Sequence, residues 1–236
     1  MAKFISPSVE IIDPATEEQG VALLRRIEQF SRISHRSEDL MKEDSWLKFI
    51  KFVVMDKGDW SVVEHASAAV VFRTNRGITH EFVRHRLFSY TQESTRFVNY
   101  GRRDKDGNLV RDMEFLIPLE WDKDLLELTE LERDAWEDYR QGCIEEEQRY
   151  LRQIARKVKP QTARDGLPHG LASTIAVTGN LRNWRHLFMM RTSKETHPEF
   201  RRLLEPLLHQ FQERIPILFD DILPGYKQSE AQSRPR

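Results

Sequence analysis

Apolar residues recur at three- and four-residue intervals along several stretches of the chain, separated by shorter β-branched runs. The first helical spacing is Val21, Leu24, Ile27 and Phe30, opened by Glu17 and by Thr16 as N-cap. Residues 31–36 are polar and read as a loop. A second helix is expected over residues 37–54, with Leu40, Trp46, Phe49 and Val53 inward, and the Gly58 turn ends it. The longest helical pattern covers residues 121–158. There Leu125, Leu128, Ala135, Tyr139, Cys143, Tyr150, Ile154 and Val158 fall near one stripe, and Gly142 offers a place to kink. Asn180 is a good N-cap for a helix through Met190. Another helix starts at Thr196-His197-Pro198 and carries Phe200, Leu203, Leu204, Leu207, Leu208 and Phe211. Short helices are expected at residues 78–83, 159–164 and 216–223.

Strands are expected at residues 8–12, 68–73, 96–100, 113–118 and 172–178. Asn75-Arg76-Gly77 reads as a turn. Asp104 to Asn108, with Gly107, would close residues 96–100 and 113–118 into a hairpin. This is an α+β pattern: a small antiparallel sheet interleaved with long helices. No glycine-rich phosphate loop is present, so a Rossmann or P-loop reading has no support.

Composition narrows the classes. A chain of 236 residues fits one large domain, here residues 1–227, followed by a polar tail at residues 228–236 expected to be disordered. The net charge of −1 argues against a general nucleic-acid binder, so any basic surface is local. A single cysteine, Cys143, excludes an intrachain disulfide framework, and its apolar neighbours suggest a core position. No metal site is expected, because His65 and His85 lack metal-ligand spacing. The first ten residues lack the apolar core of a signal peptide and no run has transmembrane length, so a cytoplasmic protein without membrane partners is expected.

The chemistry concentrates between Arg84 and Arg96, where three arginines, a histidine, two serines, two threonines, two glutamate or glutamine side chains and a tyrosine follow one another within thirteen residues. Arginine forks and hydroxyls suit a phosphate monoester. The competing reading makes Arg84 and Arg86 a helix C-terminal charge cap and Arg96 a surface strand residue. Ser94 reads as a phosphate ligand, because no motif puts a histidine and a carboxylate beside it to make a nucleophile. Glu81 shares a helical face with Arg84 and His85.

Arg84-His85-Arg86, seven residues, then Ser94 resembles the signature of the flavin-dependent thymidylate synthases. The likeness extends to Arg32-Ile33-Ser34, Ser61 with Glu64-His65, Arg164 with Leu167-Pro168, Asn180-x-Arg182 and Arg191, in the family's order. The resemblance implies a curved antiparallel sheet in a homotetramer whose sites are shared between subunits. It implies methylation of dUMP to dTMP, with FAD as cofactor and methylenetetrahydrofolate and NADPH as co-substrates. Carried over, Ser61, Arg84, His85, Arg86, Gln92, Asn180, Leu181, Arg182 and His186 would contact FAD. Glu81, Arg84, Gln92, Glu93, Ser94, Thr95, Arg96 and Arg191 would contact dUMP, with Arg164 arriving from a neighbouring subunit. Arg191 would also activate the uracil as a fixed cation. The chain departs from the family at Glu81, Gln92, His186 and Glu195, usually Gln, Glu, Asn and His, and at residues 59–63. These departures keep two alternatives open: a member without turnover, or a non-catalytic nucleotide- or nucleic-acid-binding protein.

Overall fold

The computed structural model describes residues 2–225; the tail expected at residues 228–236 lies outside them. Thr16 caps α1 (Glu17–Ile33), its side chain accepting from the Gln19 amide. The helix runs on through residues 31–33, where a loop was expected. Its buried face is Gly20, Leu23, Leu24, Ile27, Glu28 and Ser31, rotated from the apolar stripe so that Phe30 is exposed. Gly20 lies on this face. A Cβ there would collide with the carbonyl of Arg214, at the end of α7 (Pro198–Arg214), so the two backbones meet at glycine.

The helix expected over residues 37–54 is broken. It becomes a 3₁₀ turn (Glu38–Leu40), α2 (Ser45–Phe49) and a π-helical turn (Ile50–Asp56). The Ser45 hydroxyl accepts from the Lys42 amide and donates to the Lys42 carbonyl, a local alternative to helical pairing. Ile50 and Val54 are buried, and Leu40 is exposed rather than inward.

The strands are β1 (Lys3–Ile5), β2 (Ser8–Asp13), β3 (Ser67–Asn75), β4 (Ser89–Gln92), β5 (Glu114–Leu116) and β6 (Ala172–Asn180). One sheet has the order β2-β3-β6-β4, and β1 and β5 form a second. The expected hairpin does not form. Residues 96–100 belong to a turn in which the Ser94 carbonyl accepts from the amides of Phe97 and Val98. β5 pairs instead with β1, in parallel, Lys3 opposite Glu114 and Ile5 opposite Leu116. The turn at residues 104–108 does form, with Asp104 accepting from the amides of Asp106 and Asn108. The expected turn at residues 75–77 is the start of α3 (Arg76–Phe82), because Asn75 caps it by accepting from the Ile78 amide.

The chain divides into two compact units. One holds the residues up to Ser8, Phe72–Arg84 and Thr91–Ile175. Its core joins Tyr100, Met113, Phe115 and Leu171 to Cys143 and Tyr150 of α4 (Glu130–Ala155). The helix begins at Thr129, where Thr129 and Glu132 make a capping box, and residues 119–127 supply only two 3₁₀ turns before it. Gly142 leaves α4 continuous. α5 (Pro160–Ala163) passes into the 3₁₀ turn Arg164–Gly166.

The other unit holds Val9–Val71, His85–Tyr90 and the chain from Ala176 onward. Asn180 caps α6 (Leu181–Arg191), whose Trp184 and Phe188 pack with Phe211 of α7 and, through Phe188 and Phe211, with Phe219. Residues 216–223, expected helical, are a succession of turns. Arg185 takes the Leu218 carbonyl at 2.7 Å and both oxygens of Asp221, and Ile217 adopts a positive φ of 74°. Among the described residues no helix is long and apolar enough to cross a membrane.

Candidate active site

The residues singled out from the sequence fall into two groups, one on each unit. In the unit that contains α6, the chain between His85 and Tyr90 is held from three directions. The Tyr90 hydroxyl donates to the His85 carbonyl at 2.8 Å, and burial pushes the Tyr90 pKa up to about 12. Asn183 donates to the Leu87 carbonyl at 2.9 Å. The Phe88 ring lies on Gly179, where a Cβ would collide with it, and stands edge-on to Trp184 at 5.0 Å. Trp184 is itself fixed by donating to the Ala68 carbonyl.

This packing brings His85 to the end of α6. Arg191 Nε donates to His85 Nε2 at 3.1 Å. An imidazole that accepts at Nε2 is neutral and carries its proton on Nδ1. Burial, then the charges of Arg191 and His186, lower its pKa from 6.5 to about 4. Arg191 also stacks on Phe200 at 5.6 Å. Arg182 is paired with Glu64 at 2.6 Å, and Ser61 donates to Asp59 at 2.7 Å. The Asn180 side chain is engaged in capping, and Leu181 is buried with its amide on the Ala66 carbonyl. His186, Arg86 and Leu87 are exposed.

In the other unit, Gln92 donates to the hydroxyls of Thr79 and Ser173 at 2.9 and 3.2 Å. Glu93 is more fully engaged. One carboxylate oxygen accepts from Arg73 at 2.7 Å and from the Thr174 amide at 3.3 Å; the other accepts from the Tyr100 hydroxyl at 2.8 Å. Arg73 also reaches Thr174 and Glu114. Burial works against its charge, and the bonds to Glu114 and Glu93 outweigh that, so its pKa is raised. Burial and the charge of Glu93 push the Tyr100 phenol above its ordinary value. Thr95 is buried and accepts from Arg164 at 3.1 Å, so Arg164 reaches a partner in its own chain. Ser94 Oγ accepts from the Arg96 amide at 3.3 Å, which puts both residues on one turn rather than on opposite faces of a strand. Arg96 is exposed and lies over Phe97, which is 78% exposed. Glu81 lies in the last turn of α3, which ends at Phe82, and Arg84 sits exposed in the turn after it, its amide on the Glu81 carbonyl. Among the described residues no ion pair engages Arg84, Arg86 or Arg96.

The family model of the thymidylate synthase complementing proteins matches residues 18–217, most of the chain. The chain belongs to this family. Flavin-dependent thymidylate synthases of Mycobacteroides abscessus and Mycobacterium tuberculosis are 37% identical to it over 175 and 176 residues, 71% of this chain and 66% of theirs. The match thus spans just under two thirds of those relatives' length. A crystal structure of the UMP/dUMP methylase PolB from Streptomyces cacaoi, bound with 5-bromo-dUMP, shares the fold. Its TM-score is 0.71 at 20% identity, covering 92% of this chain and 95% of that one.

In this member of the family, the side chains of Gln92, Glu93 and Thr95 bond within the unit, while Arg84, Arg86 and Arg96 stay exposed. Sequence reasoning missed Arg73, Tyr100, Thr174, Asn183 and Phe88. Arg73 had a usable signal: an arginine inside an apolar strand run needs an anionic partner to be half-buried.

Proposed function

We propose that this chain converts dUMP to dTMP, drawing the carbon from methylenetetrahydrofolate, with FAD as its cofactor and NADPH as reductant. The observation that carries the reading is the pair of exposed arginine groups flanking the motif, within a chain whose family is shown over residues 18–217. Arginines without carboxylate partners fit ligands that bring their own negative charge: the phosphate of dUMP and the diphosphate of FAD.

The residues of the α6 unit fit a flavin. Arg86 is an exposed cation, the adjoining Leu87 is 75% exposed, and His85 is a neutral, half-buried ring. Such a surface suits a ligand with a flat ring system and a diphosphate. In this reading His85, Arg86, Asn180, Leu181, Arg182 and His186 hold the cofactor with Ser61 and Arg84. Bound FAD supplies the hydride chemistry that no side chain can provide.

On the nucleotide side, Ser94 and Arg96 bind the dUMP phosphate from their shared turn. Glu81 and Arg84 contact the nucleotide, Gln92, Glu93 and Thr95 hold the turn from beneath, and Arg164 braces Thr95. Arg191 is always protonated and cannot serve as a base. It stabilises negative charge developing on the uracil as C5 becomes nucleophilic. A neutral His85 accepts from the Arg191 Nε and so fixes the guanidinium without adding a second charge beside it. We further propose a homotetramer with sites completed between subunits, a single functional domain over residues 1–227, and a cytoplasmic location.

The reading is tested by assaying dTMP formation from dUMP, methylenetetrahydrofolate and NADPH with the flavin-loaded protein. Product dependent on all three supports it. Tight dUMP binding without product would identify a member that has lost turnover, the alternative motivated by Glu81 and Gln92.

A further inference from the structure

The Glu93 carboxylate is not free to meet a ligand. Both its oxygens are occupied, by Arg73 and the Thr174 amide on one side and by Tyr100 on the other, and its own amide donates to the Thr174 carbonyl at 2.8 Å. The side chain is only 16% exposed. It nevertheless stands next to Ser94, and a carboxylate beside a phosphate site disfavours the anion unless its charge is taken up. Arg73 takes up that charge and ties Glu93 to Glu114 of β5.

The spacing gives the network a second property. Residues 93 and 100 bracket the turn in which Ser94 receives the amides of Phe97 and Val98 through its carbonyl, at 3.0 and 2.9 Å. The bond from the Tyr100 phenol to Glu93 therefore closes the two ends of the segment that carries Ser94 and Arg96. Tyr100 is 5% exposed and packed in the α4 core, so its ring is a fixed anchor. A core alone is equally served by phenylalanine; the hydroxyl's contact is with Glu93.

We propose that Arg73 and Tyr100 are positioning residues that act through Glu93 to hold the Ser94–Arg96 turn in the geometry that receives a nucleotide phosphate. The inference rests on the functional reading above. Anchoring of this kind matters because small misplacements of a binding group cost far more than the bond that caused them.

The test is titration of the flavin-loaded full chain with dUMP and, separately, with deoxyuridine, which lacks the phosphate. Tyr100→Phe is expected to weaken dUMP binding about tenfold while leaving deoxyuridine binding and flavin content unchanged. Glu93→Gln should give a similar loss, and combining the two should add little to either alone. Arg73→Lys should retain more dUMP affinity than Arg73→Met. If Tyr100→Phe does not fold, Glu93→Gln and the Arg73 pair carry the same readout. Unchanged dUMP affinity in folded Tyr100→Phe, equal losses for dUMP and deoxyuridine, or fully additive losses would overturn the positioning role. A wild-type protein that binds neither dUMP nor deoxyuridine would overturn the functional reading itself, and the positioning role with it.

Discussion

Arg191 Nε and His85 Nε2 are hydrogen-bonded at 3.1 Å, which joins the last residue of α6 to the middle of the Arg-His-Arg motif. The bond exists only while the imidazole is neutral. Protonation would convert an acceptor into a cation facing another cation. Burial and the charges of Arg191 and His186 favour the neutral form down to a pKa of about 4.

A pH dependence follows. The folded His85 pKa lies below its ordinary 6.5, so between about 6.5 and about 4 the unfolded chain binds this proton and the folded chain does not. The contribution of His85 is whole above the upper value and is lost as pH falls through the window. Urea midpoints measured from pH 8 to pH 4 should decline more steeply for the wild type than for His85→Gln, which keeps an acceptor but does not titrate. Parallel curves would remove His85 from the account.

Arg191→Ala should leave flavin bound and reduce dTMP formation by at least about a hundredfold. Arg191→Lys should recover little, because its single ammonium cannot both bond His85 and present a planar cation. Near-normal turnover in either variant would contradict the electrostatic role.

Arg96→Ala should weaken dUMP binding by about 1.5–3 kcal/mol, the range for one charge-assisted contact. Calorimetric titration reads this directly, and FAD affinity should not change. Weakening confined to FAD would reverse the assignment.

Two glycines should respond in opposite directions. At Gly20 a methyl group meets the Arg214 carbonyl, so Gly20→Ala should cost about 1–3 kcal/mol by overpacking α1 against α7. At Gly142, inside α4, a Cβ meets nothing within 4 Å, so Gly142→Ala should stabilise by about 0.5–1 kcal/mol. Thermal unfolding of both variants checks the pair.

The helices with a cap and a one-sided apolar face were legible in the sequence: α1 from Thr16, α6 from Asn180 and α7 from His197. What escaped depended on distant partners. Residues 96–100 look like a strand, but Ser94 draws the Phe97 and Val98 amides into a turn, and β5 pairs with β1 at the other end of its unit's sequence. No local pattern encodes that pairing. β4 was hidden for another reason: its residues Ser89 to Gln92 lie inside the polar motif, where chemistry masks strand propensity. The site divided similarly. The motif arginines stood out by residue type, whereas Arg73 and Tyr100 became visible only through their bonds to Glu93.

The most direct measurement is the visible spectrum of the purified protein, recorded before and after addition of NADPH, then dUMP with methylenetetrahydrofolate, with dTMP quantified at the end. Bound oxidised flavin is expected at the start, bleached by NADPH and restored as dTMP forms. A colourless protein that takes up no FAD, or a flavoprotein that turns over NADPH without forming dTMP, would contradict the proposed function.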